Sequence, residues 1–182
     1  MRHLWQRLKE LFGWPTPPRP EQIGEKLVTM RQSNDCHNPM VATLCGVTYE
    51  QAHKALWHFN LPWFLESPLL SNPENVKRGI RALGFEPVEI GLSPLLDGKA
   101  TPGKVGVLVH DPKNPIFAQH WVVWFGRDAN GNHRLHWGQN QEFVVKTSSE
   151  LIALVTAGWP NCIFELRNRG QLWNLYHWLL PF

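Results

Sequence analysis

The spacing of apolar and polar residues changes about halfway along the chain. From residue 24 to residue 84 the apolar positions have the spacing of helices, and beyond residue 84 the pattern becomes typical of strands. Helices that come first, followed by strands that return on one another, are typical of α+β proteins with an antiparallel sheet. The pattern therefore predicts an α+β fold.

The first helix of the predicted domain begins near Cys36. Asn34 or Asp35 can cap its N-terminus, because their side chains accept hydrogen bonds from the free N–H groups of a first helical turn. Helices often end at a glycine because glycine readily adopts the left-handed conformation of a C-terminal cap, and Gly46 lies at the expected end of this helix. The sequence therefore predicts a helix between these residues, with Cys36 in its first turn.

Two more helices are predicted in the first half. Thr48 and Gln51 have the spacing of a capping box, which predicts a second helix through about Phe59. Asn72 is followed by a proline at the first helical position, which predicts a third helix that ends at Gly84.

The second half of the chain contains mostly strand patterns. One Asn-Gly pair, Asn130-Gly131, lies between two of the strands and predicts a hairpin. A further helix is predicted over Ser148–Val155. The predicted strands are Val105–His110, His120–Gly126, His133–Trp137 and Cys162–Leu166.

Both ends of the chain carry segments outside the predicted domain, which spans residues 24–167. Residues 1–14 predict an amphipathic helix, and a proline-rich linker follows to residue 23. This helix is expected either to fold back on the domain or to contact a partner or a membrane surface. Residues 168–182 are predicted to form an aromatic C-terminal helix or tail.

Composition excludes several classes of protein. The 182-residue chain has a net charge of +3 and no run of Lys or Arg, so nucleic acid is not expected as a partner. No apolar run approaches the roughly 18 residues that span a bilayer. With three cysteines and no recognisable secretory signal, the chain is expected in the cytoplasm with its thiols reduced. No metal-ligand spacing or glycine-rich phosphate loop is present, so neither a metal nor a cofactor is expected.

Cys36 is the cysteine with the chemistry of a nucleophile. The free N–H groups and partial positive charge of a helix N-terminus stabilise a thiolate, which is the reactive form of cysteine. Cys45 lies near the other end of the same predicted helix, and Cys162 begins an apolar strand. His120 is the candidate base, because a His that leads an apolar strand can face a neighbouring helix.

These residues resemble a known family. The stretch Gln32 to Glu50 contains Asp35-Cys36 and then Gly46-Val47-Thr48-Tyr49-Glu50, and it is similar to the nucleophile segment of papain-like cysteine peptidases of the type that processes bacteriocin leaders at double-glycine sites. The strand His120-Trp121-Val122-Val123 is similar to the histidine strand of that family. The resemblance covers roughly residues 24–167. It implies a papain-like fold of the kind found in small bacterial and phage proteins, in which case a host cell cytoplasm is a further possible location.

The resemblance also implies roles for individual residues. Cys36 is the nucleophile, His120 is the general base and then the general acid, and Gln32 donates an amide N–H to the oxyanion beside the Cys36 main-chain N–H. The family glutamine usually lies about six residues before the cysteine, where this chain has Met30, and the usual glycine after the cysteine is His37.

The residue that orients the histidine is normally Asp or Asn just past the next strand. The alternation of Leu135, Trp137 and Gln139 points to Gln139, with Asn140 as the second choice.

Three functions are compatible with these residues. The first is a cysteine hydrolase that cleaves a peptide or amide bond in a peptide or protein substrate. The second is a glutamine deamidase on the same scaffold, which uses the same catalytic residues. The third is a papain-like binding module without activity, whose aromatic residues contact a partner.

Overall fold

The computed structural model describes residues 27–31, 35–57, 72–110, 119–156 and 162–168. The predicted amphipathic helix and linker at residues 1–23, the aromatic tail from residue 169 onward, and Gln32 lie outside the described residues. We number helices and strands in chain order. The helices are α1 (His37–Cys45), α2 (Tyr49–Leu56), α3 (Pro73–Ala82), α4 (Ser93–Leu96) and α5 (Ser148–Thr156); the strands are β1 (Phe85–Glu89), β2 (Val105–His110), β3 (Gln119–Arg127), β4 (His133–His136), β5 (Phe143–Lys146) and β6 (Ile163–Asn168).

The described strands form one antiparallel sheet in the order β1-β6-β2-β3-β4-β5. The predicted α+β class is therefore confirmed. The hairpin predicted from Asn130-Gly131 is also present: β3 pairs with β4, Gly131 has a φ of 80°, and the Asp128 N–H donates to the Asn132 carbonyl over 2.8 Å.

The sheet lies between two layers of helices. On one face, α1, α2 and α3 pack on β3 through Trp121 and Val123, and on β6 through Phe164. On the other face, α4 and α5 pack on the valines of β2 and on Val122 and Trp124 of β3. Consecutive residues of β3 thus enter opposite cores, as the alternation of side chains along a strand requires. Helix α1 is buried along its whole length.

The helix signals in the sequence are confirmed at most ends. Gly46 ends α1 in the left-handed conformation with a φ of 63°. The Thr48 hydroxyl accepts the Gln51 N–H while the Gln51 side chain accepts the Thr48 N–H, so the capping box before α2 is formed. Asn72 caps α3 through the Glu74 N–H. Helix α2 ends at Leu56, earlier than predicted.

The predicted cap of α1 is wrong in one respect. The N-cap residue is Cys36 itself, and no side chain makes a capping hydrogen bond there. The Asp35 carboxylate accepts the Arg31 N–H and the Tyr49 hydroxyl instead. The alternative cap, Asn34, lies outside the described residues. Three elements were not predicted at all: β1, α4 and β5.

In the part of the chain that the structure describes, no helix combines the length and apolar character needed to cross a membrane.

Candidate active site

Cys36 lies where the N-terminus of α1 meets the start of β3. Its side chain is buried, and its Sγ accepts a hydrogen bond from the Trp121 N–H over 3.4 Å. The pairing of β3 with β4 begins at Val123 and His136, so Trp121 lies beyond the end of that ladder. The thiol therefore binds the main chain of β3 at a point where β4 is no longer paired with it.

The protonation of Cys36 differs from the sequence-based expectation. Burial, the Trp121 N–H, which acts in the opposite direction, and the Asp35 carboxylate together leave the pKa of the thiol raised to about 11. The N–H groups of His37 and of Cys36 itself also lower the pKa, as predicted for a helix N-terminus, but burial has the larger effect. Taken alone, the thiol at this site is neutral near pH 7.

The other two cysteines have no such set of N–H donors. Burial raises the pKa of the Cys45 thiol well above its usual range, and no opposing interaction accompanies it. Burial also raises the pKa of Cys162. Cys36 is thus the cysteine at which main-chain dipoles offset part of the cost of forming a thiolate.

His120, the second residue of β3, immediately precedes the residue that binds Cys36 Sγ. It is buried, and its Nε2 lies 2.7 Å from the Trp137 carbonyl oxygen. Because a carbonyl only accepts hydrogen bonds, Nε2 carries the hydrogen, and in the neutral ring Nδ1 is the basic nitrogen. The imidazole also stacks on the Trp137 indole with ring centroids 5.4 Å apart and planes 16° from parallel.

The Trp137-Gly138 segment contacts both Met30 and the first turn of α1. The Met30 N–H donates to the Gly138 carbonyl over 2.6 Å. Gly138 has a φ of 78°, and a Cβ at this position would lie 3.2 Å from Cγ of Pro39 in the first turn of α1. Met30, the first turn of α1, the start of β3 and the Trp137-Gly138 segment therefore lie together at this end of the sheet.

A network of polar side chains fixes the chain just before Cys36. The Tyr49 hydroxyl donates to Asp35 Oδ2, which also accepts the Arg31 N–H over 3.2 Å. The Asn38 amide Nδ2 lies 3.2 Å from both the Tyr49 hydroxyl and His53 Nδ1. These bonds tie the residue before Cys36 and the second residue of α1 to helix α2. Because the Asp35 carboxylate makes these bonds, it does not cap α1.

His37, beside the nucleophile, is fully buried in the first turn of α1. Burial, followed by the neighbouring His53, lowers the pKa of the imidazole to about 3. Neither ring nitrogen has a hydrogen-bond partner among the described residues. A neutral His37 therefore contributes packing beneath Cys36 and no charge.

Two of the four predicted site residues, Cys36 and His120, are linked through the main chain: Cys36 Sγ accepts the N–H of Trp121, the residue that follows His120. Gln139 is exposed and follows Gly138, and His120 Nε2 binds the Trp137 carbonyl oxygen. Asn140 is also exposed, and its Oδ1 and Nδ2 bind Glu142. Gln32 lies outside the described residues.

The sequence predicts Trp137 as the last residue of a strand and gives no sign of its contact with His120, because main-chain carbonyls carry no sequence signal. The glycine that follows it was the available clue, since glycine after a strand often marks an abrupt change of backbone direction. Across the described residues, no group of three or more His, Cys, Asp or Glu side chains is arranged to hold a metal ion.

Comparison with protein-family models gives no match to this chain, and comparison with curated proteins gives none either.

Proposed function

We propose that this chain is a cysteine hydrolase of papain-like architecture that cleaves a peptide or amide bond. Cys36 is the nucleophile and His120 the general base. The observation that carries the proposal is the hydrogen bond from the Trp121 N–H to Cys36 Sγ. This bond links the thiol at the N-terminus of α1 to the residue that follows His120. Because His120 Nε2–H is donated to the Trp137 carbonyl, Nδ1 is the basic nitrogen of the ring.

The proposed reaction has two halves. In the first, His120 Nδ1 takes the thiol proton, Sγ attacks the substrate carbonyl carbon, and the amine leaves with the proton returned by His120. In the second, water gives a proton to His120, attacks the thioester, and the Cys36 thiol is regenerated with release of the acid. The Cys36 main-chain N–H, and the Gln32 amide that the family resemblance implies, are the proposed donors to the oxyanion.

The raised pKa of Cys36 changes how the thiolate would form. When both groups are neutral, the thiol transfers its proton to the imidazole as the sulfur attacks. In a preformed thiolate–imidazolium pair, the imidazole already holds that proton before the attack. The three N–H groups directed at Sγ stabilise the negative charge once it forms. A reduced thiol is required in either case, which supports the cytoplasm as the proposed location.

Alkylation of the native protein by iodoacetamide between pH 5 and pH 11, with mass mapping of each cysteine, tests the proposal. We expect Cys36 to react at pH 7 at least about tenfold faster than Cys45, which serves as an internal control on the same helix. In His120→Ala the fast reaction should be lost, and the rate should rise only towards the pKa of about 11 that burial imposes. Circular dichroism checks that this variant is folded.

The same experiment separates an enzyme from an inactive binding module. If the pH profile of Cys36 is the same with and without His120, His120 does not act as its base and the chain is better described as a binding module. If the two profiles differ as expected, loss of turnover in Cys36→Ala on peptide and on glutamine substrates then separates a peptidase from a deamidase.

A further inference from the structure

One contact in the described part of the chain has no role in the proposed reaction so far, the contact between His120 and Trp137, the residue after β4. Trp137 touches the imidazole twice, with its carbonyl oxygen at 2.7 Å from Nε2 and with its indole ring in a near-parallel stack. Both contacts come from one residue, so a single change of backbone position would alter them together. This residue belongs neither to the nucleophile segment nor to the histidine strand.

We propose that Trp137 is the positioning residue of the site, with its main-chain carbonyl in the place of an orienting side chain and its indole ring as the support for the imidazolium. The inference rests on the proposed function of Cys36 and His120. It assigns to the main chain a role that the strand pattern had assigned to the side chain of Gln139.

The hydrogen bond to the Trp137 carbonyl determines which ring nitrogen of His120 is basic. With Nε2–H donated to Trp137, a neutral His120 presents Nδ1 as its basic nitrogen. The carbonyl keeps this bond when the ring becomes charged, since Nε2 carries a hydrogen in both states. The bond therefore restrains the ring throughout the proton transfer.

The indole ring acts on the charged state. A stacked aromatic face attracts a cation, and the imidazolium formed when His120 takes the thiol proton is such a cation. The planes lie 16° from parallel at 5.4 Å, within the distance at which this attraction operates. The ring thus favours proton transfer to His120 without carrying a charge of its own.

The Trp137 carbonyl is held in place by its neighbours. The Gly138 carbonyl accepts the Met30 N–H, and the Gly138 Cα lies against Pro39 of the nucleophile helix. The same short segment therefore contacts the histidine through residue 137 and the cysteine helix through residue 138. This arrangement fixes the spacing of base and nucleophile without a further charged side chain.

The tautomer is tested directly by NMR of the full chain labelled with ¹⁵N-histidine, with the His120 signals identified by their loss in His120→Gln. We expect the neutral ring to carry its hydrogen on Nε2 and none on Nδ1. A neutral ring with its hydrogen on Nδ1 would overturn the inference. This readout does not depend on any substrate.

The role of the indole is tested by the pH profile of Cys36 alkylation. Trp137→Leu removes the aromatic face and should slow the reaction at pH 7 by roughly two- to fivefold, while Trp137→Phe keeps a stacked ring and should slow it less than twofold. Phe143→Leu is the matched control, because it removes a ring that packs on a different histidine, His136. Its profile should equal that of the unmodified chain.

Gln139→Ala decides between the two assignments of the orienting group. An unchanged alkylation profile supports Trp137, and a shift as large as that of His120→Ala overturns the inference in favour of the glutamine. Failure of the proposed function looks different: Cys36 then shows no dependence on His120 at all, whatever the tautomer. A His120-dependent reaction with the hydrogen on Nδ1 overturns only the role of Trp137.

Discussion

Two opposing effects act on the sulfur of Cys36. The helix N-terminus was expected to lower the pKa, and the N–H groups of Cys36, His37 and Trp121 do act in that direction. Burial and the Asp35 carboxylate act in the other direction and have the larger effect. The dipole could be predicted from the position of Cys36 relative to the helix. The desolvation could not, because it depends on residues such as Trp121 that lie 85 positions away.

The hydroxyl of Tyr49 is expected to contribute measurably to stability. It donates to the buried carboxylate of Asp35 and accepts from Asn38, and burial, with the contribution of Asp35, raises the pKa of the hydroxyl so that it remains a donor. Tyr49→Phe removes both bonds and leaves polar atoms buried, so we expect a loss of about 1–3 kcal/mol in the free energy of unfolding, measured by urea denaturation at pH 7.

The control for this variant is Thr156→Val, which removes a hydroxyl that binds its own helix on an exposed surface. If Tyr49→Phe destabilises the protein no more than Thr156→Val does, the network around Asp35 does not hold the nucleophile segment.

At the scale of single elements, the ends of β4 and the edges of the sheet were the least predictable. Strand β2 was predicted with its observed limits, and five of its six residues are buried. Strand β5 has only four residues, lies at a sheet edge and exposes Val144 and Val145, so its pattern resembles a loop. Strand β1 contains Pro87 and two glutamates, which argue against a strand except at an edge.

The strand phase behind the prediction of Gln139 does not extend that far. Alternation from Leu135 through Trp137 to Gln139 requires a continuous strand, but β4 ends at His136 and Gly138 adopts a left-handed conformation. One residue with a positive φ is enough to cancel the phase of a strand. The group that binds His120 Nε2 is the main-chain carbonyl of Trp137.

Gly138 is expected to be intolerant of a side chain. Gly138→Ala forces an L-residue to a φ of 78° and places its Cβ 3.2 Å from Pro39, so it should destabilise the protein and also slow the alkylation of Cys36. Gly131→Ala is the matched control, since its φ is 80° and no atom lies within 4 Å of the new Cβ.

Gly131→Ala should lower the free energy of unfolding by about 1–2 kcal/mol, which is the cost of a left-handed conformation for an L-residue, and should leave the reactivity of Cys36 unchanged. Urea denaturation and iodoacetamide labelling of both variants provide the comparison. Equal effects of the two substitutions on both measurements would show that the contact with Pro39 is unimportant.

At the scale of the whole molecule, neutral histidines lie buried in both layers around the sheet. His133 accepts the Trp124 Nε1–H and donates to the Ser148 hydroxyl, each over 3.0 Å, so it links β3 and β4 to the start of α5 as a neutral ring. Burial lowers the pKa of His133, His136 and His37, the last to about 3. The folded chain therefore resists protonation at three internal positions.

This resistance makes stability depend on pH. Below a pH of about 6.5 the unfolded chain gains protons on these rings and the folded chain does not, so the free energy of unfolding falls as the pH falls. For His37 the loss continues towards pH 3, at up to about 1.4 kcal/mol per pH unit. Urea denaturation at a series of pH values between 7.5 and 4 should show the decline.

His37→Phe isolates the contribution of one ring. It should reduce the slope between pH 6 and pH 4 by about 1.4 kcal/mol per unit, with the stability at pH 7.5 as the internal reference. An unchanged slope would mean that His37 takes up a proton in the folded protein, which its burial opposes.

The separation of Cys36 and Trp121 along the chain has a consequence for biosynthesis. The thiol leaves the ribosome 85 residues before the strand that binds it, which is roughly 4–17 s of synthesis at about 5–20 residues per second. During that interval α1 has been made, but His120, the proposed base, and the Trp121 N–H that binds the sulfur have not. If Cys36 and His120 act as proposed, the thiol of a growing chain therefore has no base until β3 has been made.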